Sequence, residues 1–420
     1  MSSFKHKSLP FLMWFFPVLF FAYQFIFRLW PGLMMYPIME QFSIDASAFG
    51  MLAAFYYYGY AGMQIPVAIL LDRFPPRYVI CAFAILCGLA TLLFTYTTHF
   101  YVAVAARFLV GVGAAVGFLG VSKVVSQWFP KDQYARMIGF SFTLGLMGAI
   151  FGGKPVSFLI ETYQWQTVAV TLSVFSILIG CGAYLALRSP HRGEHPKNEN
   201  QFKITHFRAL LSSPILWLLA IANLLMVGSL EGFADVWGVP YLMMAYGLAK
   251  GEAAGLVSFV FFGMLFGGPF LALCSKKVGN YSVIIACGLG MALAFVCLLL
   301  THHYNWWVLA SLFFVIGVMC CYQVIVFAAG STLVAAHNLG VTVAFLNCIN
   351  MLGGSFFHTL IGKIMDLFWA GHFDGEGLRV YDLEAYTHAL SIVPMCACVG
   401  ALLVGLIAIR GQKTAKRQRK

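Results

Sequence analysis

Charged side chains are scarce in this sequence. Of its 420 residues, 26 are Lys or Arg and 15 are Asp or Glu, so charged residues make up 10% of the chain and hydrophobic ones 61%. Soluble domains average about 25% charged residues, because their surface faces water. A chain this long with so little charge cannot cover a water-facing surface, but it can cover one that faces lipid. The composition therefore indicates a membrane protein.

Motifs that would indicate an enzyme or an ATP-driven pump are also missing. No Gly-x4-Gly-Lys-Ser/Thr loop is present to bind nucleotide phosphates, so ATP is not expected as the energy source. We find no convincing Ser/His/Asp, metal or paired-Glu arrangement. The 11 Cys lie inside apolar stretches with too few His nearby for a metal site. We therefore expect no enzymatic activity, no cofactor and no metal.

Long apolar stretches recur along the whole chain. A membrane-spanning helix needs roughly 20 mostly apolar residues, and a helix satisfies its own backbone hydrogen bonds in hydrocarbon. The stretches do not alternate as the strands of a membrane barrel would. The prediction is an all-α membrane protein with twelve transmembrane helices, near residues 11–36, 47–71, 76–97, 99–128, 134–160, 165–187, 211–242, 252–274, 279–301, 304–333, 340–368 and 384–410.

The Lys and Arg residues that give the net charge of +11 lie mainly in predicted cytoplasmic segments, so they do not indicate nucleic-acid binding. With the N-terminus inside, 19 of the 26 Lys and Arg fall in cytoplasmic segments, whereas only Lys250 and Arg379 fall in outer loops. This asymmetry is the positive-inside rule. We expect a multi-pass protein of a bacterial inner (plasma) membrane with both termini cytoplasmic, monomeric, in contact with the lipid bilayer and without a nucleic-acid partner.

A long polar stretch at the middle of the chain divides the twelve helices into two sets of six. The predicted domains are an N-terminal half, a cytoplasmic linker, a C-terminal half and a basic cytoplasmic tail, over residues 1–187, 188–210, 211–410 and 411–420.

Short motifs recur in the two halves at a nearly constant offset. Gly113 pairs with Gly317 at 204 residues, and Gly152-Gly153 with Gly353-Gly354 at 201. Transporters often contain such structural repeats, so we expect two pseudo-symmetric six-helix halves.

Two motifs of the first half resemble those of the major facilitator superfamily. Residues 72–77, Asp-Arg-Phe-Pro-Pro-Arg, look like its helix 2–3 loop, and Arg107-x3-Gly111-x-Gly113-x3-Gly117 looks like its helix-four motif. The chain departs from the first motif in having Ala68 for the leading Gly and Pro75-Pro76 for Gly-Arg. The resemblance implies the major facilitator fold, alternating access, a gating role for Asp72 and Arg73, and proton coupling or helix packing by Arg107.

A narrower resemblance is carried by residues 237–242, Trp-Gly-Val-Pro-Tyr-Leu, and by residues 344–347, Ala-Phe-Leu-Asn. They look like a bacterial branch that includes phagosomal amino-acid transporters and is similar to lysosomal dipeptide carriers.

Arg28 is the first candidate for substrate contact. It lies deep in the first predicted helix, three residues before Pro31, which removes a backbone hydrogen bond. Interrupted helices near the bilayer midplane often line transporter sites. A guanidinium binds a carboxylate through two parallel hydrogen bonds. The alternative is a static salt bridge to another helix.

Glu231 and Asp235 are the second candidates. They are four residues apart and so project from one face of the seventh predicted helix. Two ionised carboxylates in hydrocarbon repel each other, so at least one should hold a proton or pair with a cation. That suits proton coupling or binding of an ammonium group. The alternative is a static pairing with Arg28 or Lys154.

The repeat offset of 207 pairs Arg28 with Asp235 and Gln24 with Glu231. A cation in one half and acids in the other predict a zwitterionic solute, an amino acid or a short peptide. We expect this solute to be transported by alternating access, with protons as a second partner. The alternatives are an organic-anion or polycarboxylate carrier, siderophore-like ligands included, or a membrane receptor that transports nothing. The predicted substrate-binding residues are Gln24, Arg28, Tyr57, Lys154, Glu231, Asp235, Trp237, Gln323, Asn347 and Asn350. The predicted proton-coupling and gating residues are Asp72, Arg73, Arg107, Glu231 and Asp235.

Overall fold

The computed structural model describes residues 2–188, 212–301, 305–334, 339–375 and 377–418. Within these ranges the chain forms twelve long helices, and eleven of them are long and apolar enough to cross a membrane. The other, Ala46–Arg73, has 28 residues, but four Tyr and Gln64 lower its hydropathy. The all-α fold with twelve long helices is therefore confirmed.

The chain divides into two compact units, residues 1–196 with 249–255, and residues 197–248 with 256–420. All but one residue of the predicted linker, 188–210, lie outside the described ranges, so its limits stay a prediction. The long helices of the first unit are α1 Ser2–Leu33, α2 Ala46–Arg73, α3 Pro76–Tyr96, α4 Phe100–Trp128, α5 Asp132–Thr162 and α6 Trp165–Ala186. The next six are α7 Pro214–Tyr246, α8 Lys250–Val278, α9 Asn280–Leu300, α10 Trp306–Ser331, α11 Leu339–Leu367 and α12 Leu383–Arg410.

Short polar side chains begin several of these helices. The Asp45 carboxylate accepts a hydrogen bond from the Ala48 N–H at 2.8 Å, and Asp382 accepts one from Ala385 at 2.9 Å. Asn305 caps α10 in the same way. Such caps satisfy N–H groups that the first helical turn leaves open. They fix where α2, α10 and α12 begin.

In the first unit, α2 and α4 cross with their backbones almost in contact. A Cβ added at Gly59 would lie 2.2 Å from the Phe108 carbonyl oxygen, and one at Gly111 would lie 1.9 Å from the Tyr56 carbonyl oxygen. Small residues allow helices in membranes to approach this closely. Beyond the crossing, the helical hydrogen-bond pattern of α4 is interrupted at Ala115.

The second unit repeats this crossing between α8 and α10. A Cβ at Gly263 would lie 2.0 Å from the Phe314 carbonyl oxygen, and one at Gly317 would lie 1.9 Å from that of Val260. The helical pattern of α10 is then interrupted at Cys321. The same crossing and the same interruption thus occur once in each unit.

These contacts correct one pairing made from the sequence. The counterpart of Gly317 is Gly111, at an offset of 206, and not Gly113, because Gly111 and Gly317 make the equivalent crossing contacts. The interruptions at Ala115 and Cys321 have the same offset. Gly113 faces α3 instead, where a Cβ would lie 2.6 Å from the Cys87 sulfur. Two glycines close together in the motif made the choice ambiguous.

The crossing predicts opposite effects for two substitutions three residues apart on α2. Gly59→Ala should lower the Tm of the detergent-purified protein by several degrees, because its Cβ would strike the Phe108 carbonyl and overpacking costs about 1–3 kcal/mol. Gly62→Ala should leave the Tm unchanged or raise it, since nothing lies within 4 Å of its Cβ position and Ala is the better helix former.

The α8 pair Gly263→Ala and Gly268→Ala provides the matched test in the second unit, where only the first Cβ meets a neighbour. Equal Tm values for the two members of either pair would show that the close crossing does not limit stability.

Candidate functional site

Pro31 does not interrupt α1 where the sequence suggested. The helix continues through Pro31 to Leu33, and a separate short helix, Met35–Phe42, follows Met34. Pro31 has no N–H, so the carbonyl of Phe27, four residues earlier, loses its helical partner. Arg107 of α4 supplies the replacement: its Nη1 donates to the Phe27 carbonyl oxygen at 2.9 Å. The freed carbonyl is therefore satisfied inside the unit.

Arg107 is enclosed by α1 and α2. Its side chain is buried, with 1% of the residue exposed. The guanidinium carbon lies 5.2 Å from the ring centroid of Tyr56 and 6.0 Å from that of Trp30. Aromatic faces stabilise a cation at such distances. Of the two roles implied by the family motif, these contacts provide helix packing.

Arg28 lies one residue from the Phe27 carbonyl but in a different environment. It is half-buried, and its guanidinium carbon is 5.1 Å from the ring centroid of Tyr57, itself buried on α2. Gln24 precedes Arg28 by one helical turn, and its amide packs against Gly117 of α4. The Gln24 Oε1 atom is buried and has no hydrogen-bond partner among the described residues. The structure thus brings together three predicted substrate residues, Gln24, Arg28 and Tyr57.

The predicted gating residues lie at the C-terminal end of α2, about four turns beyond Tyr57. Asp72 is exposed and forms a salt bridge with Lys123 of α4, with 2.6 Å between the Nζ and Oδ1 atoms. Arg73 is exposed in the last turn of α2, where a cation favours the helix dipole. Asp72 thus has a cationic partner from α4, although residues 75 and 76 depart from the family motif.

Lys154 begins a new helical segment after a break in α5. The chain turns at Gly153, and the segment Lys154–Thr162 follows. Lys154 is exposed, and its Cδ lies 3.4 Å from the position of a Cβ on Gly255. It therefore does not join the group formed by Gln24, Arg28 and Tyr57 through any contact found in the described chain.

Helix α7 is irregular where its acidic residues lie. Two π-helical turns, Leu224–Gly228 and Phe233–Trp237, flank the short α-helical stretch Ser229–Gly232. Glu231 lies in that stretch and is half-buried, whereas Asp235 lies in the second π turn and is 4% exposed. Such turns occur frequently at functional sites, because they widen the helix locally and redirect its side chains.

Contacts with α11 support this irregular segment. A Cβ on Gly228 would lie 2.7 Å from the backbone of Gly353. Trp237 is fully buried, and its indole N–H donates to the His358 carbonyl oxygen at 3.3 Å. Trp237 therefore packs α7 against α11 in this structure, and its contact with substrate stays a prediction.

Polar side chains from three helices meet beside the first π turn. Asn223 donates through Nδ2 to the Oδ1 of Asn350 at 3.3 Å, and both residues are buried. The Tyr322 hydroxyl lies 3.5 Å from the Asn223 carbonyl oxygen and close enough to Glu231 to interact electrostatically. The remaining predicted residues of this unit, Gln323 and Asn347, are half-buried. The structure thus joins Asn350 and Tyr322 through Asn223, with Glu231 near Tyr322.

Asn223 is the site residue that the sequence analysis missed. A polar side chain within an apolar stretch of α7 is a signal that could have been used, because polar groups in hydrocarbon require partners. The π turns gave no such signal, since no residue in residues 224–237 is a Pro that would break the helix.

Two units of long apolar helices, with buried polar residues on the first helix of each, define a helical membrane protein of the transporter class. The sequence model of the Major Facilitator Superfamily matches residues 15–358. The chain belongs to the Major Facilitator Superfamily, which confirms the predicted superfamily and makes the protein a transport protein and not an enzyme.

Known proteins similar to the chain agree with this assignment. It is 24% identical over 251 residues to the "Probable galactarate/D-glucarate transporter GudP" of Bacillus subtilis, covering 53% of this chain and 54% of the relative. It is 24% identical over 243 residues to the "Probable L-galactonate transporter" of Escherichia coli, covering 55% and 53%. The chain thus spans about half the length of these curated relatives.

Among solved structures, the fold is similar to that of a bacterial homolog of the human lysosomal transporter Spinster. The TM-score is 0.72 at 18% identity, over 96% of each chain. At this identity the likeness concerns the fold alone.

The Arg107 contact predicts a specific coupling with Pro31. Arg107→Gln should destabilise the protein, because a buried carbonyl would lose a hydrogen bond from a charged donor, which is worth about 1.5–3 kcal/mol. In a Pro31→Ala background the loss should be smaller, since the new Ala N–H can bond the Phe27 carbonyl within the helix. The four proteins of this double-mutant cycle are compared by thermal unfolding in detergent. Additive changes would mean that Arg107 does not stabilise the protein through the freed carbonyl.

Proposed function

We propose that the protein transports a small carboxylate-bearing metabolite by alternating access, with the substrate carboxylate held by Arg28. The observation that carries this proposal is the half-buried Arg28 guanidinium over the Tyr57 ring, beside the buried Gln24 amide. The narrower placement in an amino-acid or dipeptide branch, and the bacterial inner membrane with both termini cytoplasmic, are parts of the same proposal.

The contrast between two nearby arginines supports this role for Arg28. Arg107 is almost fully buried and donates to a backbone carbonyl, so its position serves packing. Arg28 retains exposed surface, and its guanidinium offers parallel donors that match a carboxylate.

A zwitterionic substrate is the first candidate, because α7 carries Glu231 and Asp235. The offset of 207 that pairs Arg28 with Asp235 also pairs Trp30 with Trp237, and both tryptophans are fully buried. A ligand with a carboxylate for Arg28 and an ammonium for the acids would be an amino acid or a short peptide. Proton exchange by one of the acids would couple its transport to the proton gradient.

An organic anion is the second candidate, and the names of the relatives favour it. Galactarate, D-glucarate and L-galactonate are carboxylates without an amine. For such a substrate Arg28 would keep its role, whereas Glu231 and Asp235 would serve proton coupling alone. The two candidates therefore differ only in what the acids of α7 bind.

A matched ligand series tests the proposal and separates its two forms. An amino acid, its N-acetyl derivative, the corresponding 2-hydroxy acid, its methyl ester and D-glucarate are added to the detergent-purified protein, and Tm is measured. A ligand that binds the folded state raises Tm. Stabilisation by the free amino acid alone would indicate a zwitterion. Stabilisation by the N-acetyl derivative, the hydroxy acid or D-glucarate would indicate an anion.

Arg28→Lys provides the control, because it keeps the charge and loses the bidentate fork. We expect normal membrane expression with a greatly reduced ligand shift and uptake. Equal stabilisation by the methyl ester, or wild-type uptake by both Arg28→Lys and Arg28→Ala, would contradict the carboxylate site.

Proton coupling predicts a response to the pH gradient in proteoliposomes. Uptake should rise with an inward proton gradient and collapse on adding a protonophore, and Glu231→Gln or Asp235→Asn should abolish that response. Uptake that is unchanged by the proton gradient and by the protonophore would identify a uniporter. The acids of α7 would then have binding or packing roles.

A further inference from the structure

An apolar groove opens on the surface of the second unit between α8, α9 and α10. Its volume is about 560 Å³, and its lining comes entirely from apolar side chains and one thiol, including Phe266, Phe270, Ala286, Cys287 and Phe314. Phe266 and Phe270 are 62% and 55% exposed. The groove is therefore accessible from outside the helices and lies within membrane-spanning segments.

Residue size explains why the groove exists. Helix α8 contributes large phenyl rings, whereas α9 contributes the small residues Ala286 and Cys287 at the facing positions. Gly290 lets the Met319 side chain of α10 approach, since a Cβ there would lie 2.6 Å from the sulfur. The result is a space between helices that the protein does not fill itself.

The surroundings of the groove limit what can occupy it. The volume falls within the range of about 300–1,000 Å³ typical of ligand pockets, but the lining offers no charged or hydrogen-bonding side chain to orient a polar solute. Within a bilayer the neighbouring solvent is acyl chain. A hydrocarbon chain in the groove would make van der Waals contacts that the lining side chains lack when the groove is empty.

A lysine lies beyond one end of the groove on the same face of α8. Lys277 follows Phe270 by seven residues and Phe266 by eleven, which are about two and three helical turns. It therefore lies roughly above both rings and about 10 Å beyond Phe270 along the helix. Lys276 is exposed as well, but it points about 100° away from that line.

We infer that this groove binds one anionic phospholipid, with an acyl chain against Phe266 and Phe270 and the phosphate beside Lys277. Anionic headgroups are attracted to basic residues at the membrane surface, and the aligned lysine gives the groove a polar end that matches a phospholipid. None of the residues that line the groove is a proposed substrate residue, so the inference does not depend on the proposed function.

The inference is tested by native mass spectrometry of the delipidated, detergent-purified protein titrated with dioleoyl-phosphatidylglycerol. We expect one tightly bound lipid. Lys277→Gln should weaken its binding about fivefold, the equivalent of about 1 kcal/mol for one basic residue. Ala286→Trp should abolish it by filling the groove. Lys276→Gln and Leu402→Trp, a bilayer-exposed position on α12, should leave it unchanged.

Several outcomes would overturn the inference. Equal losses from Lys276→Gln and Lys277→Gln would show general charge attraction. Equal binding of dioleoyl-phosphatidylcholine would show that the headgroup is not recognised, and equal binding of glycerol phosphate would show that the chain is not needed. Retained binding by Ala286→Trp would place the lipid elsewhere, and the Tm of that variant reports whether it folds.

Discussion

Every backbone polar group that a helix leaves open in hydrocarbon must find a partner within the protein. Pro31 creates such a group at the Phe27 carbonyl, and Arg107 satisfies it from another helix. This hydrogen bond joins α1 to α4 next to the candidate residues Gln24 and Arg28. Because the carbonyl acceptor is on α1, the position of Arg107 fixes the stretch of α1 that carries Gln24 and Arg28.

The close helix crossings provide the framework in which that contact forms. Gly111 lies one turn after Arg107 on α4 and brings α4 against the backbone of α2 at Tyr56, whose ring then lies over the Arg107 guanidinium. A larger residue at the crossing would separate the helices and move Tyr56 and the guanidinium apart. One small residue thus supports both the packing and the electrostatic environment of a buried cation.

The second unit keeps the crossing but differs at the first of its helices. Helix α7 contains two π turns, and α11 supports them through Gly353 and His358. The close helix crossing therefore occurs in both units, whereas the charged residues on the first helix of each unit differ. The first unit presents the Arg28 cation beside Tyr57, and the second presents the Glu231 carboxylate near Tyr322. That difference in charge is the physical basis for the separate binding and coupling roles that we propose.

The sequence by itself determined that the protein lies in a membrane, that its fold is all-α and that its two halves are related. Apolar length, charge scarcity and recurring glycines carry this information, because they act locally or at a constant offset. The sequence also indicated Arg28, Glu231 and Asp235 as candidate site residues, since a charge within an apolar stretch is visible without coordinates. Only the tertiary structure decided which arginine serves packing, which glycine makes the crossing, and where α7 widens into π turns. Those features depend on which groups from distant helices come within hydrogen-bond or van der Waals distance. The sequence pattern shows that a carbonyl is freed at Phe27, but the partner that satisfies it lies 80 residues away along the chain.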